Sequence, residues 1–130
     1  MMTIRQYYLN KLAEECAEIS QVISKQMQFG KDCRWLKGAG ENFEAPSNAE
    51  KLRAEVNDLL GVLDVLTDIG ELPEISPWEL LEAKNAKRRK MAKYLDRSQR
   101  LGQVENINRP IGLKIHDTYF IEPEPDATGN

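Results

Sequence analysis

Two pairs of acidic residues stand out because each pair has a spacing that places both side chains on one face of a helix. Glu15 and Glu18 occur in KLAEECAEIS, and Glu55 and Asp58 occur in RAEVNDLLGVL. Residues three positions apart on a helix have Cβ atoms about 5–6 Å from each other. Paired carboxylates suit a hard divalent cation such as Mg²⁺, which takes oxygen ligands and keeps positions open for water and phosphate. One such pair is common on a solvated face, so the repetition favours a metal site.

The first acid pair adjoins the apolar stripe of an amphipathic helix. Apolar side chains recur at three- and four-residue spacing from Tyr7 to Met27, and Gly30 supplies a stop signal. The second pair lies beside a similar stripe. If the two helices pack through these stripes as an antiparallel hairpin, the four carboxylates converge. Partly desolvated charges of one sign then require protons or a cation.

The second and third helices have clear start signals. Ser47 or Asn48 can cap the second helix, in which Glu50 completes a capping box with Ser47, and a glycine ends it. The third helix, SPWELLEAKNAKRRKMAKYL, has Ser76 as N-cap and Pro77 at the first helical position. The predicted fold is all-α, a helical hairpin plus a third helix. Its many leucines predict assembly with a second subunit into a four-helix-bundle-type dimer, with a compact three-helix monomer as the alternative.

The remaining segments lack a helical period. Residues 30–47 hold three of the eight glycines and predict a long connection, a length that is often functional. Residues 1–100 are expected to form one domain. Residues 101–130 are expected to form a C-terminal extension, partly extended, with disorder over about the last eight residues.

Composition restricts the class of protein. The chain has 130 residues, 41% of them hydrophobic and 30% charged, with a formal net charge of −3. This balance offers no general attraction to a nucleic-acid polymer or an anionic membrane. No apolar run approaches a membrane span, and the N-terminus lacks a signal peptide, so a cytoplasmic location is expected. Cys16 and Cys33 are interpreted as free thiols, and His116 as a tail residue without a partner.

The two acid motifs resemble a known family. LAEECAEISQVI followed by NAEKLRAEVNDLLGVL is similar to the EExxE and ExxD motifs of the MazG-like all-α nucleoside triphosphate pyrophosphohydrolases. This superfamily also includes dimeric dUTPases and phosphoribosyl-ATP pyrophosphohydrolase, and the resemblance covers residues 9–95. It implies hydrolysis of a nucleoside or deoxynucleoside triphosphate between the α and β phosphates, giving the monophosphate and pyrophosphate. Stand-alone versions occur in bacteria and phages, where they clean out damaged nucleotides or adjust nucleotide pools.

The resemblance also implies residue roles. Glu15, Glu18, Glu55 and Asp58 would be the catalytic residues that bind Mg²⁺, which Mn²⁺ can replace, and Glu15 is our choice to orient or deprotonate the attacking water. The basic helix is expected to bind phosphate through Lys84, Asn85, Lys87 and Arg88. Base recognition by stacking and hydrogen bonding is expected to involve Trp35, Phe29 and Asn48. The expected partners are the nucleotide and one or three further copies of the chain.

The sequence departs from the family in two respects that bear on the substrate. The interval between Glu18 and Glu55 is long and contains the glycine-rich insert, which could be a substrate lid or an oligomer contact. The Tyr-His after the second motif of phosphoribosyl-ATP hydrolases and the signature that closes the dUTPase site are both absent. The alternative class is a non-enzymatic dimeric adaptor, with the acid pairs as surface charge and the basic helix docking an acidic partner.

Overall fold

The computed structural model describes residues 1–105 and contains three helices and one two-stranded sheet in that range. The expectations for the C-terminal extension from residue 106 onward, including His116, lie outside the described residues. The described chain divides into two compact units, the first covering Met1–Glu74 and the second beginning at Ile75. The sequence predicted an all-α fold, and the structure is mostly helical, with three helices and one small sheet in the described range.

Helix α1 spans Ile4–Phe29 and begins earlier than the apolar period predicts. Its start is set by a capping box. The Thr3 hydroxyl accepts a hydrogen bond from the Gln6 backbone N–H at 3.1 Å, and the Gln6 side chain accepts one from the Thr3 N–H at 2.9 Å. The helix ends at Gly30, whose φ of 89° is a conformation that side chains with a Cβ disfavour.

Helix α2 spans Asn48–Asp68, and its predicted capping box is present. The Glu50 backbone N–H donates to the Ser47 hydroxyl at 3.1 Å, and the Ser47 N–H donates to the Glu50 carboxylate at 2.8 Å. Asn48 is therefore the first helical residue and Ser47 the cap.

Helices α1 and α2 form the antiparallel hairpin that the sequence predicts. Arg5, near the start of α1, forms an ion pair with Glu71, just beyond the end of α2. At the other end of the hairpin, the Asn48 side-chain amide donates to the Gly30 carbonyl at 2.9 Å. These contacts join opposite ends of the two helices, so they also fix the register in which the helices pack.

The connection between α1 and α2 contains a small β-hairpin that the sequence did not predict. Strands β1, Trp35–Leu36, and β2, Gly40–Glu41, pair antiparallel with Trp35 opposite Glu41. Two-residue strands are too short to show an alternating pattern, which explains the missed prediction.

Polar contacts fasten this connection to the start of α2. Arg34 donates to the Ala45 carbonyl at 2.8 Å and binds both carboxylate oxygens of Glu50 at 3.1 and 3.2 Å. Lys51 donates to the Trp35 carbonyl at 3.0 Å. The insert is therefore held against the first turns of α2 by charge-assisted hydrogen bonds.

The core of the described chain is small. Ala45 and Leu66 are the buried apolar residues among residues 1–105, and Leu66 is 2% exposed. Several large apolar side chains of the hairpin are solvent-exposed, among them Leu9, Ile23, Met27 and Leu60. Such exposure is unusual for an isolated chain and leaves apolar surface available for association.

The second unit contains helix α3, Pro77–Arg100, which extends five residues beyond the predicted end at Leu95. Its predicted start is confirmed: the Ser76 hydroxyl accepts from the Glu79 N–H at 3.1 Å, and the Glu79 carboxylate accepts from the Ser76 N–H at 2.9 Å. Hydrogen bonding of the Glu79 carboxylate to the Ser76 backbone N–H, and then to the Ser76 side chain, lowers the pKa of Glu79. No helix in the described range combines the length and apolar character needed to cross a membrane.

Candidate metal centre

Three carboxylates from two helices converge in the α1–α2 hairpin. Glu15 and Glu18 on α1 and Glu55 on α2 each place one carboxylate oxygen within 4.8 Å of the other two. All three side chains are half-buried. Oxygen atoms bound to one Mg²⁺ at about 2.0–2.1 Å lie at most about 4.2 Å apart, so a small inward movement suffices to close the group around one ion.

The antiparallel register explains why these residues meet. Glu18 interacts with Glu55 across the hairpin, and Asp58 acts electrostatically on Glu15. In an antiparallel pair of helices, moving three residues toward the C-terminus of one helix corresponds to moving three residues toward the N-terminus of the other. The equal spacing within the two motifs therefore sets Glu15 opposite Asp58 when Glu18 is opposite Glu55.

Desolvation and mutual repulsion disfavour the ionised forms of this cluster. Burial raises the pKa of Glu15, and the negative charges of Glu18, Asp58 and Glu14 raise it further. Burial also raises the pKa of Glu55, followed by a hydrogen bond with Glu18 and the charges of Glu18, Asp58 and Glu15. Both shifts have the direction expected of carboxylates gathered without a counter-charge.

Two oxygen atoms of the cluster have no partner. Glu15 Oε2 and Glu55 Oε2 have almost no solvent contact and form no hydrogen bond with any group in residues 1–105. Buried polar atoms are normally paired, so each unpartnered oxygen calls for a proton or a ligand. A cation between the helices would satisfy both. The donor set, carboxylate oxygens alone, is that of a hard cation.

Asp58 lies beside this cluster. It is solvent-exposed and is not among the three mutually close carboxylates. Its charge still contributes to the raised pKa of Glu15 and of Glu55. The structure thus gathers three of the four predicted ligands and sets the fourth close enough for its charge to act on them.

The predicted phosphate-binding residues all lie on α3, within the second unit. Lys84, Lys87 and Arg88 are exposed, at the three- and four-residue spacing that places them along one side of the helix. Asn85 is half-buried, and its Oδ1 lacks a hydrogen-bond partner among residues 1–105. Their role in phosphate binding stays a prediction.

The predicted base-binding residues occupy one end of the hairpin. Phe29 ends α1 and is 66% exposed, and Trp35 in β1 is 58% exposed. The Trp35 ring lies over Gly40. A Cβ atom at position 40 would be 3.8 Å from the Cη2 atom of Trp35. Asn48 is buried, and its amide nitrogen already binds the Gly30 carbonyl, a structural contact that sequence reasoning did not foresee.

Two further residues of the hairpin were missed by sequence reasoning. Arg34 binds the Ala45 carbonyl and the Glu50 carboxylate and so holds the insert against α2. The sequence around Arg34 does not predict this role, because both partners are distant in sequence. Gln26 lies on the same side of α1 as Glu15 and Glu18, and its Oε1 is buried without a hydrogen-bond partner in the described range. Its position eight residues after Glu18 was the available signal.

Comparison of the chain with protein-family models, with curated proteins and with solved structures gave no significant match. The MazG-like resemblance therefore depends on the two acid motifs and the order of the helices.

Proposed function

We propose that this protein is a metal-dependent nucleoside triphosphate pyrophosphohydrolase. The observation that supports this best is the group of Glu15, Glu18 and Glu55, with two buried carboxylate oxygens that have no hydrogen-bond partner in the described part of the chain. A cluster of acids alone is common on protein surfaces. Here the acids come from two helices whose register is fixed at both ends, and they lie on the inner side of the hairpin.

Mg²⁺ is the proposed cofactor, with Mn²⁺ as a substitute. Glu15, Glu18 and Glu55 would hold the ion, and Asp58 would complete the negative site either directly or through water. When bound, the ion neutralises phosphate charge and makes water a better nucleophile. The carboxylates supply rigid positions for it, because each is anchored on a helix rather than on a loop.

In the proposed reaction, water attacks the α-phosphorus of the nucleotide. A bond forms between the water oxygen and that phosphorus, and the bond to the oxygen bridging the α and β phosphates breaks, releasing pyrophosphate. Glu15 is the proposed residue that orients this water and accepts its proton, because it is half-buried in the acid cluster and its Oε2 has no hydrogen-bond partner among residues 1–105. Binding the triphosphate through Lys84, Asn85, Lys87 and Arg88 is the part that the resemblance alone supports.

Base recognition is proposed at the end of the hairpin formed by the close of α1 and the β-hairpin. Trp35 and Phe29 offer exposed aromatic surface for stacking. Gln26 offers an amide oxygen that has no partner among residues 1–105 and could accept a hydrogen bond from an amino group of a base. Because Arg34 and Lys51 fasten the insert to α2, we propose that Trp35 is a fixed stacking surface rather than part of a mobile lid.

A homodimer or homotetramer is proposed as the working form. One side of α1 carries apolar residues that remain exposed, at spacings that keep them along one flank: Leu9, Ala13, Cys16, Ile23 and Met27. Met27 is 82% exposed. A second copy packing on this flank would bury it and give the bundle the core that one chain lacks.

Pyrophosphate release tests the proposal directly. The full chain is incubated with the common ribonucleoside and deoxyribonucleoside triphosphates and dUTP, with Mg²⁺, with Mn²⁺, and with a chelator. We expect metal-dependent release of pyrophosphate and the monophosphate, without release of single phosphate. Glu18→Gln should abolish it, whereas the matched variant Asp64→Asn, which changes an exposed acid of α2 outside the cluster, should retain it. A folded protein that is inactive with both metals on every nucleotide would favour the adaptor instead.

A further inference from the structure

Helix α3 concentrates the positive charge of an otherwise acidic chain. Residues 84–100 contain eight basic side chains and one acidic side chain, a net charge of +7, while the rest of the chain has ten basic and twenty acidic residues, a net charge of −10. The overall charge of −3 does not reveal this division. The expectation of no nucleic-acid partner was based on that overall charge. A local field of this kind attracts polyanions irrespective of the chain average.

The basic residues of α3 divide between two sides of the helix. Lys84, Lys87 and Arg88, the phosphate-binding candidates, run along one side. A second row, which we call the Lys90 face, recurs at spacings of three or four residues and includes Lys90, Lys93, Arg97 and Arg100. Lys90 follows the half-buried Leu81 by nine residues, which is about two and a half turns, so the Lys90 face points away from the apolar side of α3.

Within residues 1–105, few ion pairs compensate the charges of the Lys90 face. Lys90, Lys93 and Arg97 are exposed, and in the range 1–105 none of the three forms an ion pair. Arg100 pairs with Asp96 at 2.9 Å, and both side chains remain mostly exposed. The proposed triphosphate hydrolysis makes no use of this row.

An aromatic ring accompanies these charges. Tyr94 follows Lys90 by four residues and precedes Arg97 by three, and it is 52% exposed. It lines a shallow hollow of about 270 Å³ together with Lys93, Asp96, Arg97 and Arg100. Basic side chains that follow a phosphate backbone, combined with an aromatic ring on which a base can stack, form the usual recognition chemistry for single strands.

We propose that the Lys90 face of α3 binds single-stranded nucleic acid. At about 1.5 Å per residue, the row from Lys90 to Arg100 extends about 15 Å, enough to contact several successive phosphates of a strand. A membrane surface fits less well, because insertion needs a broad apolar face beside the charges. Between Lys90 and Leu101 the exposed apolar residues other than Tyr94 are two, Met91 and Leu101. A duplex would satisfy the charges but would leave Tyr94 without an unstacked base. This inference is independent of the proposed hydrolysis.

The test is fluorescence polarisation of the full chain with labelled single-stranded DNA and RNA of about 20 nucleotides. If Lys90, Lys93 and Arg97 each neutralise one phosphate, the logarithm of the binding constant should fall with the logarithm of salt concentration with a slope of about −2. The triple variant K90Q/K93Q/R97Q should lose at least about tenfold in affinity and most of that slope. Tyr94→Leu should weaken binding about fivefold or more while the slope is unchanged.

A charge-matched control separates the Lys90 face from net charge. The variant K25Q/K31Q/K37Q removes three exposed positive charges from the first unit and should bind as the unaltered protein does. Equal loss in both triple variants would overturn the proposal, as would absence of binding at low salt. Equal affinity for a duplex of the same length, or equally strong binding to polyglutamate or to anionic vesicles, would assign the face to another partner and also overturn it.

Discussion

Replacing Glu55 with glutamine should stabilise the metal-free protein and remove its response to Mg²⁺. Glu55 is the α2 member of the three-carboxylate group, and burial followed by interaction with Glu18 raises its pKa. The folded state therefore holds more protons than the unfolded state at pH values between the ordinary pKa of 4.5 and the raised value. Stability from this group is fully present below the ordinary pKa and is lost as pH rises through the raised one. A neutral amide avoids that loss.

The expected metal response follows from mass action. Mg²⁺ at ten times its Kd stabilises a folded state that alone binds it by about 1.4 kcal/mol. Unfolding the 105 described residues carries an entropy of about 0.22 kcal/mol/K, at about 2.1 cal/mol/K per residue. The expected rise in Tm is therefore about 6 °C for the unaltered protein. For Glu55→Gln it should be close to zero at the same concentration, because one of three ligands from the protein is gone.

Thermal unfolding by circular dichroism, with chelator or with Mg²⁺ at neutral pH, measures both effects. Asp64→Asn is the matched control, an exposed acid on α2 outside the cluster, and it should keep the full response to Mg²⁺. Repeating the chelator series at lower pH should narrow the difference in Tm between Glu55→Gln and the unaltered protein. The reasoning is refuted if Glu55→Gln lowers the metal-free Tm at neutral pH, or if it responds to Mg²⁺ as strongly as the control.

Three further perturbations test the insert, the association surface and the base site. Arg34→Ala should cost about 1–3 kcal/mol in chemical denaturation, because it leaves the buried Ala45 carbonyl without its donor; an unchanged free energy of unfolding would contradict the clamp. Ile23→Glu should shift the protein to monomer in analytical ultracentrifugation, whereas Gln21→Glu, exposed on the other side of α1, should not. Gln26→Leu should raise the Tm by removing an unpartnered buried oxygen while raising KM for the preferred nucleotide; a KM that does not change removes Gln26 from base recognition.

The helices could be predicted from the sequence because their signals are local. The capping boxes at Ser47 and Ser76 and the apolar period of α2 act within a few residues, so the pattern and the structure agree. The same kind of signal, threonine followed three residues later by glutamine at Thr3, marked the true start of α1, but the apolar period drew attention to a later residue. The predicted end of α3 lies five residues before the observed end at Arg100 because the last turn is polar and carries no apolar period.

The insert could not be predicted, because its structure depends on contacts between distant residues. No periodic pattern in the sequence indicates the pairing of Trp35 with Glu41 or the ion pair of Arg34 with Glu50. The same holds for Asn48. Its type suggested a hydrogen bond to a ligand, which stays a prediction, and the contact of its amide with the Gly30 carbonyl was not predicted.

The convergence of the carboxylates could be predicted because acids with the same spacing on two antiparallel helices lie opposite one another. What the sequence did not reveal is how the register is held when so few apolar residues are buried. The contacts at the two ends, Arg5 with Glu71 and Asn48 with Gly30, provide that constraint. A slip of one helical turn would break both contacts and separate Glu18 from Glu55. The polar ends of the hairpin therefore position the acid cluster between them, although burial and, after it, repulsion between the carboxylates raise the pKa of Glu15 and Glu55.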